Sequence, residues 1–380
     1  EIGQPLTAYD PAAIRRRVEA TRLFRNVGEP ELRITDDGGA VLHLPITERA
    51  PGAFDLVLGY LPPQGRGEGG QIVGNGQLSL RNLFGGGRTM SLELDRRPGQ
   101  VSQVDVRATD PYLLGWPLRL DLRFAGEQRD STYGKQAYHL GAGYRFAGGL
   151  ELAGTITREV TRPGQAGTRL QGGEQRIARA TAWFAGLSIR YQNVDRPVNP
   201  RQGFVLETSL EQGRKSTAGR VVTAEQDTVR ERSSLRQERL RFEARAFAPT
   251  WAQQVVALGL DAALLRSSRY DRSDLFRIGG ANTLRGYDED RFLGRAVGRL
   301  FLEYRYQVDR ASYAYVFGDL GMVETPDLRD LEGARTWHPG YGLGVQVSTR
   351  LGLVNASYAL SPEDASPAEG RIHLGLSVGL

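Results

Sequence analysis

The stretch RIHLGLSVGL, residues 371–380, alternates without a break. Ile372, Leu374, Leu376, Val378 and Leu380 fall on one side; Arg371, His373, Gly375, Ser377 and Gly379 fall on the other. Successive side chains of a β-strand point to opposite faces, so a period of two describes a strand with one apolar and one polar face. Working back along the chain, the same period recurs. Leu300, Leu302, Tyr304 and Tyr306 alternate with Phe301, Glu303 and Arg305. Leu118, Leu120, Leu122 and Phe124 alternate with Arg119, Asp121 and Arg123, and Met90, Leu92 and Leu94 with Ser91, Glu93 and Asp95.

Sixteen such segments begin near residues 53, 70, 88, 100, 116, 134, 149, 176, 202, 234, 252, 295, 311, 336, 351 and 370. Connections after even-numbered segments are mostly tight, as at Phe84-Gly85-Gly86-Gly87, Ala147-Gly148-Gly149, Pro249-Thr250 and Gly352. Those after odd-numbered segments are mostly long and polar: 159–174, 213–233, 267–294, 321–335 and 361–369. Short turns on one rim and long loops on the other are the pattern of an outer-membrane barrel with both termini on the periplasmic side. A soluble sandwich buries its apolar face between two sheets and has no reason to sort its loops by length. The expected fold is mainly β: a sixteen-stranded antiparallel transmembrane barrel over 51–380. Closure pairs Phe54–Leu61 with Arg371–Leu380 and removes the sheet edges. A barrel this wide is not filled by its own wall, so it is either plugged or a pore.

Composition agrees. The 380 residues are 40% hydrophobic, with 48 glycines suited to turns. The mean hydropathy is −0.40. No apolar run approaches the ~18 residues of a membrane helix. Cysteine is absent, which excludes disulfides and thiolate metal sites. The net charge of +5 is almost all arginine, Lys135 and Lys215 being the lysines. Acids and bases alternate along the same strands, which argues against a phosphate-binding stripe and against nucleic acid as a partner. The chain opens at Glu1 with neither a Met nor a signal peptide, as expected of a processed or trimmed chain.

Residues 1–50 differ. Asp10 caps an expected helix with Pro11 at its first position, and Ile14, Val18 and Leu23 share a face. Strands are expected near Glu31–Thr35 and Val41–Thr47, with Asp37-Gly38-Gly39 turning between them. So small a core reads as the end of an α/β domain whose beginning is missing.

Between segments eleven and twelve lies FRIGGANTLRGYDEDR, residues 276–291. Gly279, Gly280 and Gly286 break any helix, and the block Asp288-Glu289-Asp290-Arg291 rules out a surface strand. A loop this long is functional or disordered. On its own, Arg285 reads as an exposed loop arginine with no partner. The acidic block lacks the ligand spacing of a calcium loop and is expected to be solvated. His43, His139, His338 and His373 form no metal motif, and no serine sits in a nucleophile elbow, so no catalytic residue, metal or cofactor is expected. Gly65–Gly74 has no lysine and reads as a flexible outer loop. Trp116, Trp183, Trp251 and Trp337 near strand ends suit interfacial belts.

Four motifs in order resemble the superfamily of outer-membrane assembly and secretion barrels, the bacterial surface antigen family. In it, periplasmic POTRA domains precede a sixteen-stranded barrel: BamA-type insertases, translocation-and-assembly factors and two-partner-secretion transporters. Leu284-Arg285-Gly286-Tyr287 is similar to the family's Arg-Gly-aromatic motif in the sixth extracellular loop. Phe317-Gly318-Asp319-Leu320-Gly321 is similar to its motif on strand thirteen, and Glu303 suits strand twelve. Asp195-Arg196-Pro197 through Pro200-Arg201-Gln202-Gly203 resembles the periplasmic turn before strand nine. The resemblance implies that residues 1–50 are the C-terminal part of a POTRA domain on the periplasmic side. It implies a loop lock of Arg285, Gly286 and Tyr287 with Asp319, Glu303 and Phe317. It also implies a lateral seam at Phe54, Leu56, Gly375, Gly379 and Leu380, where Leu380 replaces the family's terminal aromatic. The implied work is inserting or translocating polypeptides at the outer membrane, without catalysis or cofactor. Implied partners are unfolded outer-membrane or secreted proteins, outer-membrane lipids, and periplasmic chaperones or accessory lipoproteins. Two-partner secretion, a barrel anchoring an upstream enzyme domain, and a diffusion porin stay open as alternatives.

Overall fold

The computed structural model describes residues 9–20, 24–36, 39–48, 52–61, 71–97, 101–171, 174–196, 198–222, 228–328, 332–349 and 352–378. Sixteen long strands account for most of them. They are β1 (Gly52–Leu61), β2 (Gln71–Arg81), β3 (Thr89–Arg97), β4 (Val101–Asp110), β5 (Leu118–Arg129), β6 (Tyr133–Arg145), β7 (Leu150–Pro163) and β8 (Arg179–Gln192). They continue as β9 (Gly203–Val222), β10 (Thr228–Pro249), β11 (Gln254–Ser267), β12 (Ala296–Gln307), β13 (Tyr313–Thr325), β14 (Ala334–Ser348), β15 (Gly352–Leu360) and β16 (Arg371–Val378). Each pairs antiparallel with the next in sequence, and the strand order brings β16 round beside β1. Among the described residues, no residue-by-residue register crosses that junction.

The strands begin within three residues of the expected positions, except β10, which starts at Thr228. There the expectation is corrected. Residues 213–233 do not form a long loop: β9 and β10 pair as far as Val222↔Thr228. Past Lys215 no described side chain of this hairpin is buried on either face until Gln237, so the alternation fades from the sequence while the backbone groups still need partners. The loop sorting is also less regular than expected. Connections 98–100 and 130–132, after odd strands, are short, whereas 193–202, after β8, is long. That last turn is closed by Asp195, whose Oδ1 accepts the N–H groups of Arg201 (2.9 Å) and Gln202 (3.2 Å).

The two faces separate as the period of two requires. Leu300, Leu302, Tyr304 and Tyr306 are exposed, while Phe301 and Glu303 between them are buried. Ile372 and Leu374 likewise point outward. All four tryptophans are exposed: Trp116 and Trp251 in tight turns, Trp183 and Trp337 near the starts of β8 and β14. They therefore fall on both rims.

Ahead of the sheet, helix α1 (Pro11–Ala20) is capped by Asp10, whose Oδ1 accepts the Ala13 N–H at 3.0 Å. Glu31–Ile34 pairs with Ala40–His43 as expected. The expected strand Val41–Thr47 is split, however: its end, Ile46–Glu48, pairs instead with Phe24–Val27, a strand the sequence did not reveal. Leu23 and the turn residues Asp37 and Gly38 lie outside the described residues, as do Pro197, Gly379, Leu380 and most of the glycine-rich stretch 65–74.

A candidate lock between loop and wall

The connection from β11 to β12 folds onto the inner wall. Its stem is a short hairpin, Phe276–Ile278 paired with Phe292–Gly294. Its tip, 279–291, carries Leu284, Arg285 and Tyr287 into nearly complete burial.

Arg285 meets two carboxylates. Its Nε donates to Asp319 Oδ2 at 2.9 Å and its Nη2 to Asp319 Oδ1 at 2.6 Å, a bidentate pair. Its Nη1 donates to Glu303 Oε1 at 2.7 Å. The Arg285 backbone N–H adds a third bond to Asp319, at 3.1 Å. Beneath the guanidinium lies the ring of Phe317, 3.6 Å from centroid to Cζ. Arg305 saturates the other oxygen of Glu303 through Nε and Nη2 at 2.9 and 2.7 Å. Charge-assisted, bidentate bonds shielded from water are strong and directional. A cation over a desolvated ring adds about 2 kcal/mol.

The strands place these groups by parity. Glu303 on β12 stands opposite Phe317 on β13, and Phe301 opposite Asp319. The wall residues share one face, and Arg285 meets Asp319, Glu303 and Phe317 on it; Gly286 and Tyr287 are held instead by His373 and Pro339.

Side chains alone do not explain how closely the loop lies on the wall. β14 presents Gly340, Gly342 and Gly344 opposite Asp319, Phe317 and Tyr315. A Cβ at Gly342 would stand 2.9 Å from the Phe317 ring, and one at Gly344 2.5 Å from the Tyr315 ring. One at Gly340 would meet the Arg285 carbonyl oxygen at 2.0 Å. Gly321 on β13 leaves the same kind of room for Leu284, at 2.5 Å. Gly286 itself has φ +91°, and a Cβ there would meet Leu360 O at 2.7 Å. Only glycine adopts that backbone without strain.

The loop also grips the last strand. Gly286 N–H donates to His373 Nε2 at 3.2 Å. Arg371 donates to Gly286 O at 3.0 Å, to Asp288 Oδ1 at 2.9 Å and to Asp364 Oδ1 at 2.8 Å. Tyr287 donates to Pro339 O at 2.9 Å, and its ring meets Phe292 and His338 edge-on. These wall residues were missed by the sequence reading, although Arg371 and His373 lie on the polar face it identified.

The acidic block is not simply solvated. Asp290 accepts from Arg129 at 2.6 Å and from Arg97 at 3.5 Å, while Glu289 accepts the Ala281 N–H at 2.8 Å. The side chain of Asp288 alone of the three stays mostly in water. The loop reaches across to arginines at the ends of β3 and β5, which its sequence could not reveal.

The seam residues are only partly placed. Phe54 and Leu56 of β1 are exposed outward. At Gly375 of β16 a Cβ would meet Asn355 Cβ no closer than 3.9 Å, so packing does not demand glycine there.

The Omp85 superfamily domain matches residues 82–378 of this chain. The chain belongs to the Omp85 superfamily. Among solved structures, BamA from Haemophilus ducreyi lacking POTRA domains 1–3 aligns with a TM-score of 0.56 at 17% identity, over 96% of this chain and 76% of that one. CdiB from Escherichia coli aligns with a TM-score of 0.57 at 14% identity, over 93% and 68%. CdiB from Acinetobacter baumannii gives 0.56 at 14%, over 94% and 65%. At these identities the likeness is one of fold. No curated protein sequence matches the chain. Membership in the Omp85 superfamily supports an outer-membrane location and work on unfolded polypeptides, which are inserted or secreted.

Proposed function

We propose that this Omp85 barrel is an assembly factor of the BamA kind, receiving unfolded polypeptides from the periplasm and inserting them into the outer membrane. It is not an enzyme on this reading. The observation that carries it is the Arg285–Asp319–Glu303 cluster, which ties a lumen-crossing segment to β12 and β13. A diffusion porin needs no such lock. Residues 1–50, with a capped helix and two short strand pairs, would be the end of a periplasmic POTRA domain, the barrel starting near 51. The barrel would close by β1 pairing with β16, and that pairing would part to template a new strand. Energy would come from the client's own folding into lipid.

Two-partner secretion is the second reading, favoured by the fold likeness to CdiB. Both are tested in vesicles reconstituted with the purified barrel and its periplasmic part. An unfolded outer-membrane client and an exported chain are offered separately, and protease-protected product is measured. Insertion of the first that falls in Arg285→Ala supports the proposal. Transport of the second alone supports secretion. Wild-type yields in Arg285→Ala would refute the lock's role in either.

A further inference from the structure

A second cluster lies where the β11–β12 connection begins. The two lysines of the chain are both in it. Lys215 of β9 is buried, and its Nζ donates to Asp271 Oδ2 and Asp274 Oδ2, each at 2.6 Å. Gln237 of β10, wholly buried, donates to the same Asp274 oxygen at 3.0 Å. Lys135 of β6 donates to the Ser273 carbonyl at 3.1 Å and pairs with Glu159 of β7 at 3.2 Å. Arg239 of β10 closes the base, donating to both oxygens of Glu159 at 2.6 and 2.8 Å over the ring of Phe184. Segment Asp271–Leu275 is thus fixed to β6, β9 and β10, whereas the tip is fixed to β12, β13, β14 and β16, with Asp290 reaching the ends of β3 and β5.

Between the two holds lie Gly279 (φ +130°) and Gly280 (φ +104°), where stem gives way to tip. A chain pinned at two walls with consecutive positive-φ glycines between has a natural hinge there. We infer that Lys215 is the positioning residue of a second, independent latch: it anchors the stem of the lumen-crossing segment, so that the tip carrying Arg285 swings on Gly279–Gly280 without the whole segment leaving the barrel. The compact ammonium suits this place, since one nitrogen reaches two carboxylates three residues apart. Its charge is compensated on the spot, as a buried cation requires. The inference rests on the proposed reading of the Arg285 cluster as a lock on a lumen-crossing segment.

Amide hydrogen exchange of the full chain in lipid nanodiscs tests it without any client protein, so its failure is distinct from failure of the insertion reading. Lys215→Met, which keeps the stem length, and Asp274→Asn should each raise exchange across 268–275 by roughly tenfold or more, leaving 284–290 unchanged. Arg285→Ala should do the reverse. Lys215→Arg, which keeps the charge but not the compact ammonium, should raise exchange across 268–275 less than Lys215→Met does. Release of both stretches together by any one substitution, or no release of 268–275 by either Lys215→Met or Asp274→Asn, overturns the inference.

Discussion

Gly340 lies directly behind Arg285: any side chain at 340 would overlap the Arg285 carbonyl oxygen, 2.0 Å from the position of its Cβ. The obstructed atom is a backbone oxygen, so no side-chain rotation relieves the overlap. Gly340→Ala should therefore lift the tip off the wall while leaving Arg285, Asp319 and Glu303 in place in the sequence. Its expected phenotype is that of Arg285→Ala, namely loss of client insertion with a folded, heat-modifiable barrel on gels. Wild-type insertion would show that the tip need not touch β14.

Arg285→Lys tests geometry against charge. Lysine keeps the cation but has one nitrogen, which cannot span Asp319 and Glu303 as the guanidinium fork does. Leaving buried carboxylates undercompensated costs about 3–5 kcal/mol. We expect Arg285→Lys to lose most of the activity, and its tip amides to exchange almost as fast as in Arg285→Ala. Full activity in the lysine variant would mean that charge alone suffices.

Phe317→Leu keeps an apolar side chain but removes the π-face under the guanidinium. The expected loss is about 1–2 kcal/mol, read as a lower urea midpoint for release of the tip, with the barrel's own unfolding little changed. An unaltered midpoint would show that the ring only fills the space above Gly342.

Arg371 is bonded to Gly286, Asp288 and Asp364. Arg371→Ala should raise amide exchange in β16 and in 284–290 together, because one side chain joins them. A rise in β16 alone would show that the tip is held without its help.

The membrane face can be tested through the four tryptophans. Variants retaining only Trp116, Trp183, Trp251 or Trp337 should each be quenched by lipids brominated near the headgroup more than by lipids brominated at the chain end. Strong quenching by acrylamide with no effect of bromolipid would place the ring in water and sink the lipid-facing assignment.

Much of this was legible in the sequence because lipid and water stand on opposite sides of each strand. The alternation at 300–306 and 371–378 gave strand, parity and lumenal face together, and parity is what put Glu303 and Asp319 on one wall. The signal failed where its physical cause fails. Beyond Lys215 no described side chain of 216–222 or 229–233 is buried, so a long hairpin looked like a loop. Gly340, Gly342 and Gly344 also keep a period of two, but glycine marks turns as readily as it marks room for a neighbouring ring. The Lys215 cluster was hidden for another reason. Which lumenal charges meet depends on the path of a segment with no periodicity, and Asp271 and Asp274 carry no mark of their partner.

The glycine row on β14 has one more consequence. It is a mould with two castings: Gly340 receives the Arg285 backbone, while Gly342 and Gly344 receive the Phe317 and Tyr315 rings. Cutting away the tip would not leave a clean, wider tunnel. It would leave an empty groove at Gly340 and Gly321, with Asp319 stripped of its bidentate partner and Glu303 held by Arg305 alone.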